Sequence, residues 1–185
     1  MADCLCLGLS IDKVFTILKS IYFIVKILWI KTSPLHPLTR GGDLRTFHLL
    51  RHLHQNHDVT FVGMTADPGQ IEGAQRSDEY CSRSLWAHEP KASLKLARWK
   101  FLLGALANLF SKLPYAVARF RSASLRRLLV ETLKRESFDI IVSDFLFPAA
   151  SMPWEMKEGT QTPWVLFQHN VESMIWRRRE IGRAH

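Results

Sequence analysis

The chain has 185 residues, 47% of them apolar, and a formal net charge of +8. That length holds one domain with a proper core and leaves little room for a second full one, and the charge points to anionic partners such as phosphate-bearing small molecules, lipid headgroups or nucleic acid. Its cysteines, Cys4, Cys6 and Cys81, have no disulfide framework and suggest a reducing compartment, and Cys4-x-Cys6 alone makes no metal site.

Residues 1–25 form an N-terminal extension. Ile11, Val14, Phe15, Leu18, Ile21, Tyr22 and Val25 recur at helical spacing, with Ser10 as a candidate N-cap and Asp12 in the first turn, so an amphipathic helix is expected. Lys13, Lys19 and Lys26 interrupt its apolar run, which argues against a membrane-spanning helix. Asp3, without a basic start or a small-residue cleavage site, argues against a secretory signal. A packed helix, a membrane-surface helix and an extension that need not be ordered all remain open.

From Lys26 to Leu53 the chain reads as strand, loop and helix. Ile27 to Ile30 is an apolar run of strand length, as in a parallel strand covered on both faces. Pro34 and Pro37 hold the next stretch extended. Gly41 and Gly42 offer a turn and close approach of the backbone to a ligand, Asp43 is a candidate N-cap, and Leu44, Phe47, Leu50 and Leu53 mark one helix face. A second strand is expected over Val59–Met64, completing a βαβ unit. Asp67–Ser84 is polar and reads as a surface loop or weak helix. Helices are expected over Lys91–Phe110 and from Ser122 or Ser124 to about Arg135, and strands over Phe138–Ser143 and Trp164–Gln168. Another helix is expected over Val171–Arg183. The alternation predicts an α/β fold with a parallel sheet flanked by helices.

Ligands of such sheets bind beyond the carboxyl ends of the strands, so the loops after the strands hold the candidate site. Gly41 and Gly42, opening a helix, suit a phosphate, although such glycines also serve as a plain tight turn. Arg40 and Arg45 flank them and could pair with phosphate or a sugar carboxylate. Neither G-x-G-x-x-G nor G-x-x-x-x-G-K-[ST] occurs. Asp144 follows one strand and could accept a hydrogen bond from an acceptor hydroxyl, or cap the next turn. His169 follows another, beside Asn170 and Glu172, where an imidazole can stabilise charge on a departing phosphate. His48 and His52 share a helix face but lack a third ligand, so no metal is expected.

Between Lys91 and Arg135 the only acid is Glu131, and Trp99, Phe101, Phe110, Tyr115 and Phe120 interleave the basic residues. That pattern suits an anionic membrane surface or single-stranded nucleic acid, or simply a core stripe with a solvated basic back.

KILWIKTSPLHPLTRGGDLRTFHLLRHLHQNHDVTFV resembles the opening of the N-terminal domain of GT-B glycosyltransferases of the large retaining family four. FDIIVSDFLFPAA and WVLFQHNVESMIWRRR resemble its later strand-loop segments, so the similarity runs over residues 26–185. The resemblance implies a Rossmann-like N-terminal half of a GT-B fold, acting with a C-terminal donor domain that nothing in this chain matches. It implies transfer of a sugar, with retention, from a nucleotide-sugar donor to a glycan or lipid-linked acceptor, with no further cofactor. Gly41 and Gly42 would approach the donor diphosphate, His169 would lie beside the reacting sugar, and Asp144, Arg45, Asn170 and Glu172 would bind substrate.

The 185-residue chain ends with a helix in progress, so a fragment with little transferase activity by itself is expected. A cytoplasmic place on the inner face of the membrane would suit the basic stretch, and nucleic acid is the less favoured partner. The alternative is a non-catalytic module that binds nucleotide, nucleic acid or a membrane surface.

Overall fold

The first strand, β1 (Lys26–Ile30), alternates between two hydrophobic layers. Ile27 and Trp29 join Phe47, Leu50, Val59, Phe61 and Tyr80 in one buried cluster, whereas Leu28 and Ile30 join Val62, Leu125, Leu129 and Ile141 in the other. A strand buried on both faces needs a helix layer above and below it. The computed structural model, which describes residues 24–65, 72–89, 120–168 and 177, supplies both layers.

Helix α1 (Gly41–His54) covers one face and packs through Phe47 and Leu50. Asp43 in its first turn and Arg51, His52 and His54 in its last suit the helix dipole. Strand β2 (Asp58–Thr65) follows, then the short helix α2 (Glu72–Gln75), a 3-10 turn at Ser77–Glu79 and strand β3 (Arg83–His88). Helix α3 (Ala123–Arg135) covers the opposite face through Leu125 and Leu129. Ser122 caps it, its hydroxyl accepting from the Leu125 amide at 3.1 Å. Strand β4 (Ile140–Asp144), the one-turn helix α4 (Leu146–Ala149), a 3-10 turn at Trp154–Lys157 and strand β5 (Trp164–Phe167) complete the described chain.

The strands lie in the order β3-β2-β1-β4-β5, and every pairing is parallel. This is the α/β, Rossmann-like sheet flanked by helices that the sequence predicts. The chain runs outward from β1 to β3, then returns to lay β4 against the other side of β1, pairing Ile27 with Ile140. The β1–β4 junction is therefore the topological switch point, where open α/β sheets have their ligand crevice.

Some expectations are corrected. Strand β3 falls where the sequence reading has a loop or weak helix at its start and no element after Ser84. RSLWAH is short and polar at both ends, and as an edge strand it buries only Ala87 fully. Gly63 of β2 makes room for it, since a Cβ there would overlap the Trp86 ring, 2.8 Å from Cε3. The chain thus has five strands among the described residues where four are expected. The N-terminal extension up to residue 23 and the helices expected over Lys91–Phe110 and Val171–Arg183, apart from Arg177, lie outside the described residues.

Candidate functional site

The rim at the switch point is built from the exits of β1 and β4 and the start of α1. Arg40 is the N-cap residue of α1, with extended backbone and no side-chain capping bond. The Leu44 amide makes the first helical bond, to Arg40 O at 3.0 Å, so the Gly41, Gly42 and Asp43 amides precede the helix's own ladder. Gly41 is exposed, and a Cβ there would meet nothing within 4 Å. Neither glycine serves a left-handed turn, because among the described glycines only Gly159 has positive φ. Asp43 is not the N-cap that the sequence suggests. It sits in the first turn, buried, facing Lys31.

Lys31 is the first residue after β1 and continues the Ile27, Trp29 face. Its ammonium lies 3.3 Å from Asp43 Oδ1 and 3.2 Å from Asp144 Oδ2. The same Asp144 oxygen accepts from the Thr46 hydroxyl at 2.8 Å and from Trp29 Nε1 at 3.2 Å. Lys31, Asp43, Thr46 and Asp144 are all buried, Asp144 being 1% exposed. Buried charges are tolerated when paired and hydrogen-bonded, as here. The carboxylate that sequence reasoning reserves for an acceptor hydroxyl is thus engaged in fastening β1, β4 and α1 together. Lys31 and Thr46 have no role in the sequence reading, and Trp29 has one only as part of a buried strand. Extending the strand's alternation one residue past Ile30 would have placed Lys31 on the α1 face.

Phe145, immediately after Asp144, has φ 77° and ψ 177°, a region that only glycine adopts without cost. Its amide donates to Phe167 O at 2.7 Å, and Ser143 Oγ donates to its carbonyl at 3.0 Å, so both sides of the strained residue are held. Backbone strain of this kind concentrates where a site needs a fixed shape.

On the α3 side of the rim lies an open cleft of about 460 Å³, lined in part by Thr32, Ser33, Arg40, Arg121, Phe120 and Phe147. The Phe120 and Phe147 rings lie 4.1 Å apart, centroid to centroid. Glu89, leaving β3, accepts from the Ser122 and Ser124 hydroxyls, both at 2.7 Å, and ties the β3 exit to the start of α3. Arg121 and the cleft itself go unnoticed in the sequence, where nothing brings residues 32, 40, 121 and 147 together; only the strand order does.

Arg45, His48 and His52 are exposed on α1. Among the described residues no group of three or more His, Cys, Asp or Glu could hold a metal ion. Strand β5 ends at Phe167, paired with Asp144, on the same rim as α1's start. His169, Asn170 and Glu172 follow it and lie outside the described residues. So does the basic stretch from Lys91 to residue 119. Of its remainder, Arg126 is used internally, donating to Met152 O at 3.0 Å and pairing with Glu155, while Phe120 stacks on Phe147. That Arg126 contact holds the Glu155 carboxyl below its usual range. Cys81 is buried, and burial pushes its thiol up to about 12, so it is no nucleophile.

No family's sequence profile matches the chain. No curated protein matches it. Among solved structures it is similar to the C-terminal domain of a hydrogenase from Pyrococcus furiosus, with 15% identity, 79% of this chain and 92% of that one covered, and a TM-score of 0.47. Among the described residues no helix is long and apolar enough to cross a membrane.

Proposed function

We propose that this chain is the N-terminal, acceptor-side half of a retaining GT-B glycosyltransferase, and that its rim takes the diphosphate of a nucleotide-sugar donor. The observation that carries the reading is the start of α1: three amides ahead of the first helical bond, opened by two glycines, at the switch point of a parallel sheet. Such a helix start favours anions through its N–H groups and its dipole. Exposed Arg40 and Arg45 flank it. The resemblance of residues 26–185 to the family's N-terminal domain supplies the reaction class.

In this reading the Gly41 and Gly42 amides and Arg45 stabilise the charge that grows on the diphosphate as the sugar departs. His169, with Asn170 and Glu172, enters on the resemblance, beside the reacting sugar and the acceptor. Asp144 acts by holding the rim in shape through Lys31 and Thr46. The donor domain would close over this rim and bind most of the nucleotide. Localisation at the inner membrane face, through the basic stretch Lys91–Arg135, belongs to the same proposal.

Calorimetry with UDP, GDP and ADP tests it. One of them should bind the wild-type chain, and Gly41→Asp should abolish that binding while keeping the fold, since Gly41 is exposed with nothing within 4 Å of a Cβ, and an acid in a first helical turn suits the helix and repels a diphosphate. No binding of any of the three at millimolar concentration, or binding untouched by Gly41→Asp, overturns the reading.

A further inference from the structure

The start of α1 accounts for one side of the rim; the cleft on the α3 side is a separate cavity with its own chemistry. We infer that this cleft is the acceptor subsite and that it takes a phosphorylated amphiphile, with the phosphate on Arg40 and Arg121 and the apolar body along Phe120 and Phe147. The acceptor role rests on the glycosyltransferase reading, whereas the ligand class is argued from the cleft itself.

Arg40 and Arg121 reach the cleft from different elements, the N-cap of α1 and the residue before the N-cap of α3. Both are exposed, and among the described residues neither guanidinium has a carboxylate partner. Arg83 and Arg126, by contrast, pair with Glu136 and Glu155. Thr32 and Ser33 add hydroxyls to the same wall. One guanidinium saturates a carboxylate by its two parallel bonds. Two separate guanidiniums with two hydroxyls match a phosphate, whose oxygens can be approached from several sides.

The apolar side is as specific. Phe120 and Phe147 lie 4.1 Å apart with their planes 32° from parallel, and Phe145 adds a ring 5.0 Å from Phe147. Met64 lines the same cavity. A cleft of about 460 Å³ falls in the size range of small-molecule sites. Glu89, the one acid among the described residues of its wall, turns its Oε2 to the Ser122 and Ser124 hydroxyls at the positive end of α3. A free sugar would find little use for two exposed arginines, and an inorganic anion little for the phenylalanine wall.

Titration of the whole chain with octyl phosphate below its micelle concentration, beside octyl glucoside and inorganic phosphate, tests the inference. Octyl phosphate should bind, with the other two each at least about tenfold weaker. Arg40→Ala and Arg121→Ala, which break no ion pair among the described residues, should each weaken it by about tenfold, and Arg121→Lys by less. Equal binding of octyl phosphate and inorganic phosphate overturns the amphiphile, and affinity unchanged in both alanine variants overturns the cleft. Binding to phosphatidic acid vesicles without binding to monomeric octyl phosphate overturns it in favour of a membrane surface. Gly41→Ala separates the two readings: it adds a methyl group and no charge beside Arg40, so it should weaken nucleoside diphosphate binding and leave octyl phosphate binding intact. If nucleoside diphosphates bind and octyl phosphate does not, this inference alone fails.

Discussion

Lys31 Nζ lies 3.2 Å from Asp144 Oδ2, so the residue leaving β1 is clamped to the residue ending β4 across the switch point. The Asp144 side chain is fully buried and that of Lys31 is 10% exposed, so water screens the pair little. Lys31 also meets Asp43, and its removal would leave two carboxylates without their shared cation. Lys31→Met should therefore destabilise the chain by about 3–5 kcal/mol, as when one partner of a buried pair is lost. Urea denaturation measures it. Adding Asp144→Asn to Lys31→Met should return part of the loss, and a single variant as stable as wild type would mean that the clamp is not closed in solution.

This clamp marks the limit of what the sequence makes legible. Apolar runs and helical spacing locate β1, β2, β4, β5, α1 and α3, because each buries a face with its own period. RSLWAH escapes because an edge strand buries too little for its alternation to stand out, and because Trp86 fits only against a glycine on the neighbouring strand. Gly41 and Gly42 are legible as the start of α1, but Asp43 is misread as its cap. A short polar residue near a helix start satisfies either a local amide or a distant cation, and the cation, Lys31, becomes a neighbour only once β1 and α1 pack. Asp144 is misread for the same reason: its partners Trp29, Lys31 and Thr46 lie about a hundred residues away in sequence.

Phe145 holds a backbone conformation suited to glycine, with φ 77° and ψ 177°. Comparing Phe145→Gly with Phe145→Ala isolates that strain, since both lose the ring and only one keeps a Cβ. Alanine is ordinarily the more stabilising residue of the two. At this position the glycine variant should be more stable than the alanine variant by about 1–3 kcal/mol. Thermal unfolding of the two side by side decides it, and the ordinary order would show that the backbone there relaxes.

Cys81 is 2% exposed, and its thiol donates to Ser77 O at 3.0 Å. Burial raises its native value to about 12, above the ~8.5 of an unfolded thiol, so between those values the unfolded chain releases a proton that the native chain keeps. The stabilisation is complete below about pH 8.5 and is lost as pH rises towards 12, at about 1.4 kcal/mol per pH unit. Tyr80, raised by burial as well, adds to the loss once unfolded tyrosine ionises near pH 10. Denaturation midpoints at pH 8, 9 and 10 should thus fall for the wild type and fall less for Cys81→Ala. In parallel, peptide mapping after iodoacetamide at pH 8 should find Cys81 unlabelled in the native chain; ready labelling would mean that the thiol is neither buried nor raised.

Gly41 bears most directly on function because the fold gives it no reason to be glycine. It is helical and exposed, and a side chain would meet nothing within 4 Å. Gly41→Ala should therefore leave the structure intact and stabilise it by about 0.5–1 kcal/mol, since alanine costs less conformational entropy in a helix. If the open space above it admits a diphosphate, the added methyl group should hold the phosphate off the first-turn amides and weaken nucleoside diphosphate binding several-fold. Stability and affinity would then move in opposite directions, which a purely structural glycine could not produce. Thermal unfolding and calorimetry on one preparation give both numbers. A variant that is more stable and binds nucleoside diphosphates as well as the wild type would move the phosphate away from α1.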